Sequence, residues 1–301
     1  MASQHTAKHR KASTGRVSGI LAVALGTTLW GTVGPVVELF PEGTAFQYAM
    51  VRNVTGTLAL WILVLFSRKK KRYTKQDIVP ILIGGVGVAF FFPLFTLGFQ
   101  RTGVAVAAVL AIGVAPIFAG IIARIAFKHK PGKTWLIGTA VAVSGVVALN
   151  WPSGDAVVNV LGVSFSLMAA FAYSWQATGM GMISQRHTPF QCVAPIFTVG
   201  TILQAPINIG RDFSFLYDPK LLAGTLYGGI ATVAIAYAFF TYGISRIGTA
   251  TSVTVGLMEP LTATTMGVLL LGETISPIGM AGLVLVLIGL IIVSRPTKEI
   301  V

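Results

Sequence analysis

Three ionisable side chains sit inside long apolar stretches of this 301-residue chain: Arg52, Arg124 and Glu259. At the centre of a bilayer an ionised group costs roughly 2.5–3.5 kcal/mol on insertion scales, so such residues face a cavity or a partner. Glu259 is followed by Pro260, which removes a backbone donor and disfavours helical geometry at the residue before it, freeing a carbonyl nearby. Non-helical backbone at membrane depth is tolerated where it lines a cavity. A carboxylate there could carry a proton or hold a substrate amine. The structural alternative is a carboxyl, permanently protonated or paired, that ties helices together. Arg52 could clamp a substrate carboxylate or pair with Glu259; as a structural residue it would bond carbonyls and Glu38. Arg124, in the last turn of its helix, reads as a cation snorkelling to the interface.

The elements that must hold these groups follow from composition. Hydrophobic residues make up 54% of the chain, with 34 glycines besides, and only 10% of residues are charged. A soluble domain carries about 25% charged residues, so a soluble globule is excluded, and so is a disordered or fibrous chain. A spanning helix needs about 20 apolar residues. Ten runs meet that description approximately: 17–38, 45–67, 77–99, 104–126, 135–150, 160–183, 191–209, 221–242, 250–271 and 278–294. Connections are mostly short, which predicts one compact all-α membrane bundle. The single cysteine, Cys192, permits no intrachain disulfide. Residues 1–16 read as a basic tail and 295–301 as a second tail. The first run imitates a signal peptide, but no small-residue cleavage site follows it, which predicts a retained helix.

Net charge is +13, and its distribution argues against nucleic acid. With the N-terminus cytoplasmic, 17 of the 22 Lys and Arg fall in cytoplasmic connections and tails. Only Arg101, Arg211 and Lys220 fall outside, and Arg52 and Arg124 lie within spans. The positive-inside rule then puts both termini in the cytoplasm. The run Arg68-Lys69-Lys70-Lys71-Arg72 is a positive-inside anchor that favours anionic lipid. In this frame Glu259 lies about 14 Å from the inner end of its span and Arg52 about 12 Å from the outer end of its own, at similar depth.

The chain repeats itself. Thr96 to Gly103 aligns with Thr241 to Gly248, sharing Thr, Gly, Arg and Gly. Pro116, Gly138 and Gly145 align with Pro260, Gly282 and Gly289, and Thr44 to Gln47 with Thr188 to Gln191, at one constant offset. A one-residue slip between Gly103 and Pro116 reconciles the registers. The repeats are 17–150 and 159–294. Five helices per copy is an odd number, so the second copy enters the membrane from the opposite face. Inverted repeats permit alternating access; duplication kept for stability, or a channel, is the competing reading. Pro116 and Pro260 are the expected hinges. Interior aromatic residues Trp30, Tyr173, Trp175 and Tyr237 could line a cavity, as could Thr28, Thr32, Gln176, Gln204, Thr232, Thr254 and Thr262. Ala107, Ala111, Ala115, Ala119 and Ala123 form a small-residue ladder suited to close helix approach.

These residues resemble the EamA family, the ten-helix branch of the drug/metabolite transporter superfamily. The resemblance runs through Trp30-Gly31, Arg52, Ala170-Phe171-Ala172-Tyr173, Tyr227-Gly228, Thr232 to Tyr237, Met258-Glu259-Pro260 and Leu271-Gly272-Glu273. The first repeat departs from it, carrying Lys128-His129 where the family often has glycine-glutamate. The resemblance implies export of a small metabolite, such as an amino acid or drug-like compound, through a central cavity. No enzyme motif, metal cluster or cofactor signature appears. The expected partners are a small-molecule substrate, the plasma-membrane bilayer and protons coupled through Glu259. A sugar-phosphate or nucleotide-sugar exchanger, which calls for several intramembrane cations, and a non-transporting scaffold or lipid carrier are the alternatives.

Overall fold

The protein is seen in a computed structural model, which describes residues 2–68, 70–126, 128, 131–151, 159–272 and 274–295, without the side chains of 2–14, 104, 105, 126 and 271. Lys69, His129, Lys130, Glu273 and the 296–301 tail lie outside the described residues, and with them the His129 and Glu273 motif positions. Every regular element described is helical.

The first half contains α1 (Ala2–Gly31), α2 (Val33–Val37), α3 (Ala45–Phe66), α4 (Lys75–Thr102), α5 (Val104–Ala108), a π-helical segment Val109–Gly113, α6 (Ala115–Ala126) and α7 (Lys133–Leu149). In the second half are α8 (Val160–Ser184), α9 (Pro189–Gln204), two 3₁₀ turns, α10 (Pro219–Tyr227), a π-helical segment Gly228–Ile235, α11 (Ala236–Ile247), α12 (Thr249–Val255), α13 (Met258–Leu271) and α14 (Pro277–Ser294). Among the described residues nine helical rods are long and apolar enough to cross a membrane. The run predicted at 135–150 forms the 17-residue α7, shorter than those nine. Residues 2–16, read as a tail, continue α1 as helix.

Local sequence sets the starts, and the starts recur. α3, α4 and α7 begin 144 residues before α9, α10 and α14. Thr74 and Asp77 form a capping box on α4, and the matching Asp218 side chain caps α10 by accepting from Lys220 N at 2.7 Å. Such caps satisfy helix-end donors that lipid leaves unpaired. Ends match too. Gly103 and Gly248 stop α4 and α11 with φ/ψ of 80/159° and 78/162°. Lys128, with φ 53°, stands where Gly272 has φ 71°.

Matching helices meet each other antiparallel. Asn53 Nδ2 donates to Gln204 Oε1 at 2.9 Å, Thr57 pairs with Thr201 at 3.4 Å, and Trp61 Nε1 donates to Thr198 at 2.9 Å, so α3 and α9 run in opposite directions. α7 and α14 do the same through glycines: a Cβ on Gly138 would strike Gly289 and Val293, and one on Gly145 would strike Gly282 and Val286. Backbone approach of this kind is what small residues supply where lipid offers no hydrophobic drive. The contacts α4–α8 and α1–α11 form a further exchanged pair. Gly162 packs on Gly98, Arg101 and Thr102 as Gly19 packs on Gly243, Arg246 and Ile247. At the chain ends, Arg16 donates to Val293 O at 3.1 Å and Arg295 O at 3.0 Å, capping α14 and holding it beside α1.

Candidate functional site

The rods that carry Pro116 and Pro260 are both broken beside that proline. The rod 104–126 passes through its π-helical segment and Val114 before α6 restarts at Ala115, one residue ahead of Pro116. The rod 249–271 stops at Val255, turns through Gly256 and Leu257, and restarts at Met258, so Glu259 and Pro260 occupy the first turn of α13. Proline is well tolerated in a first helical turn because the donor it lacks there is already unpaired.

Glu259 is surrounded by protein yet partly exposed, the combination expected of a cavity wall. Its carboxylate makes no hydrogen bond or ion pair among the described residues. Gly31 presses against the Glu259 carbonyl, where a Cβ would lie 2.7 Å from the oxygen. Arg52 is close enough to act electrostatically on Glu259, Tyr237 and Tyr48. It does not bond Glu38; its Nε donates to Thr232 Oγ1 at 3.0 Å. That bond seats the inner edge of the guanidinium, and the Nη groups make no hydrogen bond among the described residues. Two Nη donors in a fixed plane match a carboxylate.

Trp30 anchors the aromatic wall. Its Nε1 donates to Thr232 O at 2.9 Å, and its ring lies 6.1 Å from Tyr173, 4.5 Å from Tyr237 and 5.1 Å from Phe240, centroid to centroid. The Tyr173 hydroxyl is buried without a partner among the described residues, as is the Tyr48 hydroxyl beside Arg52. Buried polar atoms left unpaired cost about 1–3 kcal/mol each, and a polar ligand entering between them would remove that cost. Thr32 lies at the rim, sharing a hydrogen bond with the Tyr227 hydroxyl.

Two expected wall residues point elsewhere. Trp175 stacks on Phe171 at 5.4 Å, and Phe171 is exposed on the outer face. Tyr173 and Trp175 are two residues apart, about 200° around a helix, so one cavity cannot take both. Thr254 is fully buried and pairs with Thr139 Oγ1 at 3.0 Å, joining α12 to α7. Arg124 is exposed at the end of α6. A groove of about 610 Å³ beside α1 and α11, lined by Leu21, Leu25, Ile235 and Phe239, lies on the apolar outer surface away from the charged pair.

A second ionic cluster was not foreseen in the sequence. Asp77 is buried and accepts from Arg186 Nε at 2.9 Å, while His187 Nε2 lies 3.0 Å from its other oxygen. Tyr73 stacks on His187 at 4.9 Å and donates to Gln191 O at 2.8 Å. Burial pushes the Tyr73 phenol up to about 12, so it stays a donor throughout the physiological range. This cluster ties the 67–74 connection to the 185–188 connection. Its readable signal was Thr74-x-x-Asp77, a capping-box spacing.

Together these features define a multi-pass helical membrane protein, duplicated in sequence and enclosing a charged, aromatic-walled interior. The chain belongs to the EamA-like transporter family, whose family model matches residues 17–151 and again 160–295. It is 32% identical over 281 residues to the uncharacterized transporter YwfM of Bacillus subtilis, covering 93% of this chain and 94% of that one. It is 27% identical over 266 residues to the threonine/homoserine exporter RhtA of Escherichia coli, covering 88% and 86%. A solved crystal structure shares its fold with a TM-score of 0.72 at 16% identity, covering 94% of this chain and 96% of that one.

Proposed function

We propose that this protein is a secondary transporter of the plasma membrane that exports a small zwitterionic metabolite, an amino acid or a close analogue, by alternating access. In this reading ten helices cross the bilayer, α7 among them, as two inverted five-helix repeats with both termini in the cytoplasm. Support for inversion comes from the antiparallel α3–α9 and α7–α14 mates, and for orientation from the Lys and Arg distribution. The relationship to an exporter of threonine and homoserine favours amino acids among the small metabolites.

The observation that carries the reading is the unpaired Glu259 carboxylate facing the electrostatic reach of a seated Arg52. Arg52 Nη would take the substrate carboxylate, Glu259 its ammonium or a proton, and the Trp30, Tyr173 and Tyr237 rings its side chain. Proton exchange at Glu259 couples export to the proton gradient. A sugar phosphate fits this site poorly, because its two negative charges would meet one arginine together with the Glu259 carboxylate. Overexpression should protect growing cells against toxic threonine and homoserine analogues. Protection should vanish in Arg52→Ile and Glu259→Gln variants present in the membrane at wild-type levels. Equal protection by those variants would contradict the assignment.

A further inference from the structure

Between residues 74 and 116, and the matching 218 to 260, the two halves slip by one residue in two places, and each place is π-helical. The N-caps Thr74/Asp218 and the pairs Gly84/Gly228 and Gly85/Gly229 differ by 144, whereas Thr96/Thr241 and Gly103/Gly248 differ by 145. The second half therefore holds one extra residue between Gly229 and Thr241, and the π-helical segment 228–235 lies there. Register returns to 144 at Pro116/Pro260, so the first half holds one extra residue between Gly103 and Pro116, where the π-helical segment 109–113 lies. A π turn is how a helix absorbs one inserted residue without rotating the faces on either side of it.

Packing locates the first insertion closely. A Cβ on Gly200 would strike Gly85 O and Val88, and a Cβ on its mate Gly56 would strike Gly229 O and Val233. Three steps along α4 thus match four along its counterpart, and the extra residue is one of Ile230, Ala231 and Thr232. Thr232 is the one whose side chain accepts from Arg52 and whose carbonyl accepts from Trp30. In α4 the equivalent stretch, Val86-Gly87, carries no polar side chain and packs its glycine flat against Ala172 and Gln176.

We propose that this insertion is functional: the π turn makes Thr232 a positioning residue that seats Arg52 through its hydroxyl and Trp30 through its carbonyl. The proposal rests on the transport reading only for its functional arm. Deleting Thr232 together with Ala231→Gly recreates the Gly-Gly-x-Gly-Val of α4 and should give an α-helical, folded protein. Control deletion of Ala238, in regular helix, should abolish folding by rotating everything after it.

In the purified full-length protein the deletion variant should be monodisperse in detergent, and its Trp30 indole N–H resonance should move upfield as the bond to the Thr232 carbonyl is lost. Thr232→Val should leave that resonance in place but weaken protection against threonine analogues about tenfold, and Thr232→Ser should restore it. A deletion variant that misfolds as the Ala238 deletion does, or an indole resonance unmoved by the deletion, would overturn the proposal. So would Thr232→Val with wild-type protection. If wild-type protein gives no protection, the transport reading fails, while folding and the indole resonance still judge the insertion.

Discussion

Arg52 and Ile196 occupy equivalent places in the two halves, each with its side chain packed against the matching glycine of a neighbouring rod: Gly228 for Arg52, Gly84 for Ile196. Glu259 is matched by Ala115, and the Gly31 that crowds the Glu259 carbonyl is matched by Ser174, which donates to Ala115 O at 2.8 Å. One side of the bundle is therefore polar and open in its hydrogen bonding, while its mirror is apolar and closed. The scaffold is common to both sides. What separates them is a cation, a carboxylate and where the inserted residue falls, which fits the ligand-binding role proposed for the charged side.

Exchange between mates tests this directly. Arg52→Ile, which copies the apolar side, should weaken efflux affinity for labelled L-threonine by roughly 100-fold, since hydrogen bonds to charged groups contribute about 1.5–3 kcal/mol. Ile196→Val should change it less than about threefold, because losing one methylene away from the ligand affects packing only. Equal effects would erase the distinction between the sides.

The Asp77 cluster has no mirror either, since Leu221 stands at the matching position. Asp77→Leu removes a helix cap and strands His187 and Arg186, so it should lower unfolding free energy by about 3 kcal/mol, read from denaturant melts in detergent. Arg186→Met should cost only about 1 kcal/mol, because that side chain is 40% exposed and water takes over part of its role. The third mate pair is Lys128 and Gly272. Lys128→Gly should stabilise by about 1 kcal/mol by relieving a left-handed backbone, and Gly272→Ala should destabilise by a similar amount. Smallest is the Thr139–Thr254 pair: a double-mutant cycle with valine should give a coupling of about 0.6 kcal/mol and no change in efflux.

Much of this architecture was legible in the residues themselves. Apolar runs located the rods within a few positions, and repeated Thr, Gly, Arg and Pro located the halves, because a bilayer fixes helix length and close packing fixes glycines. Part of the register was also readable: Thr44 aligned at 144 and Thr96 at 145, which requires a second slip besides the one seen after Gly103. Arg52 and Glu259 were marked by the cost of ionised groups in lipid, Trp30, Tyr173 and Tyr237 by aromatic rings in helix interiors, and the fold brings them together. Trp175, an interior aromatic, and Thr254, a candidate cavity polar, face outward and toward α7, because azimuth around a helix depends on its neighbours. Asp77 escaped notice since its partners, Arg186 and His187, lie more than a hundred residues away.

Proteoliposomes bearing a pH gradient test the central claim, that Glu259 and Arg52 together move a small zwitterion with a proton. With the wild-type protein, labelled L-threonine should accumulate against its gradient when the pH difference is imposed, and collapse of that difference should release it. With Glu259→Gln, threonine should still exchange across the membrane yet ignore the pH difference. Undiminished pH-driven accumulation in Glu259→Gln would contradict the account.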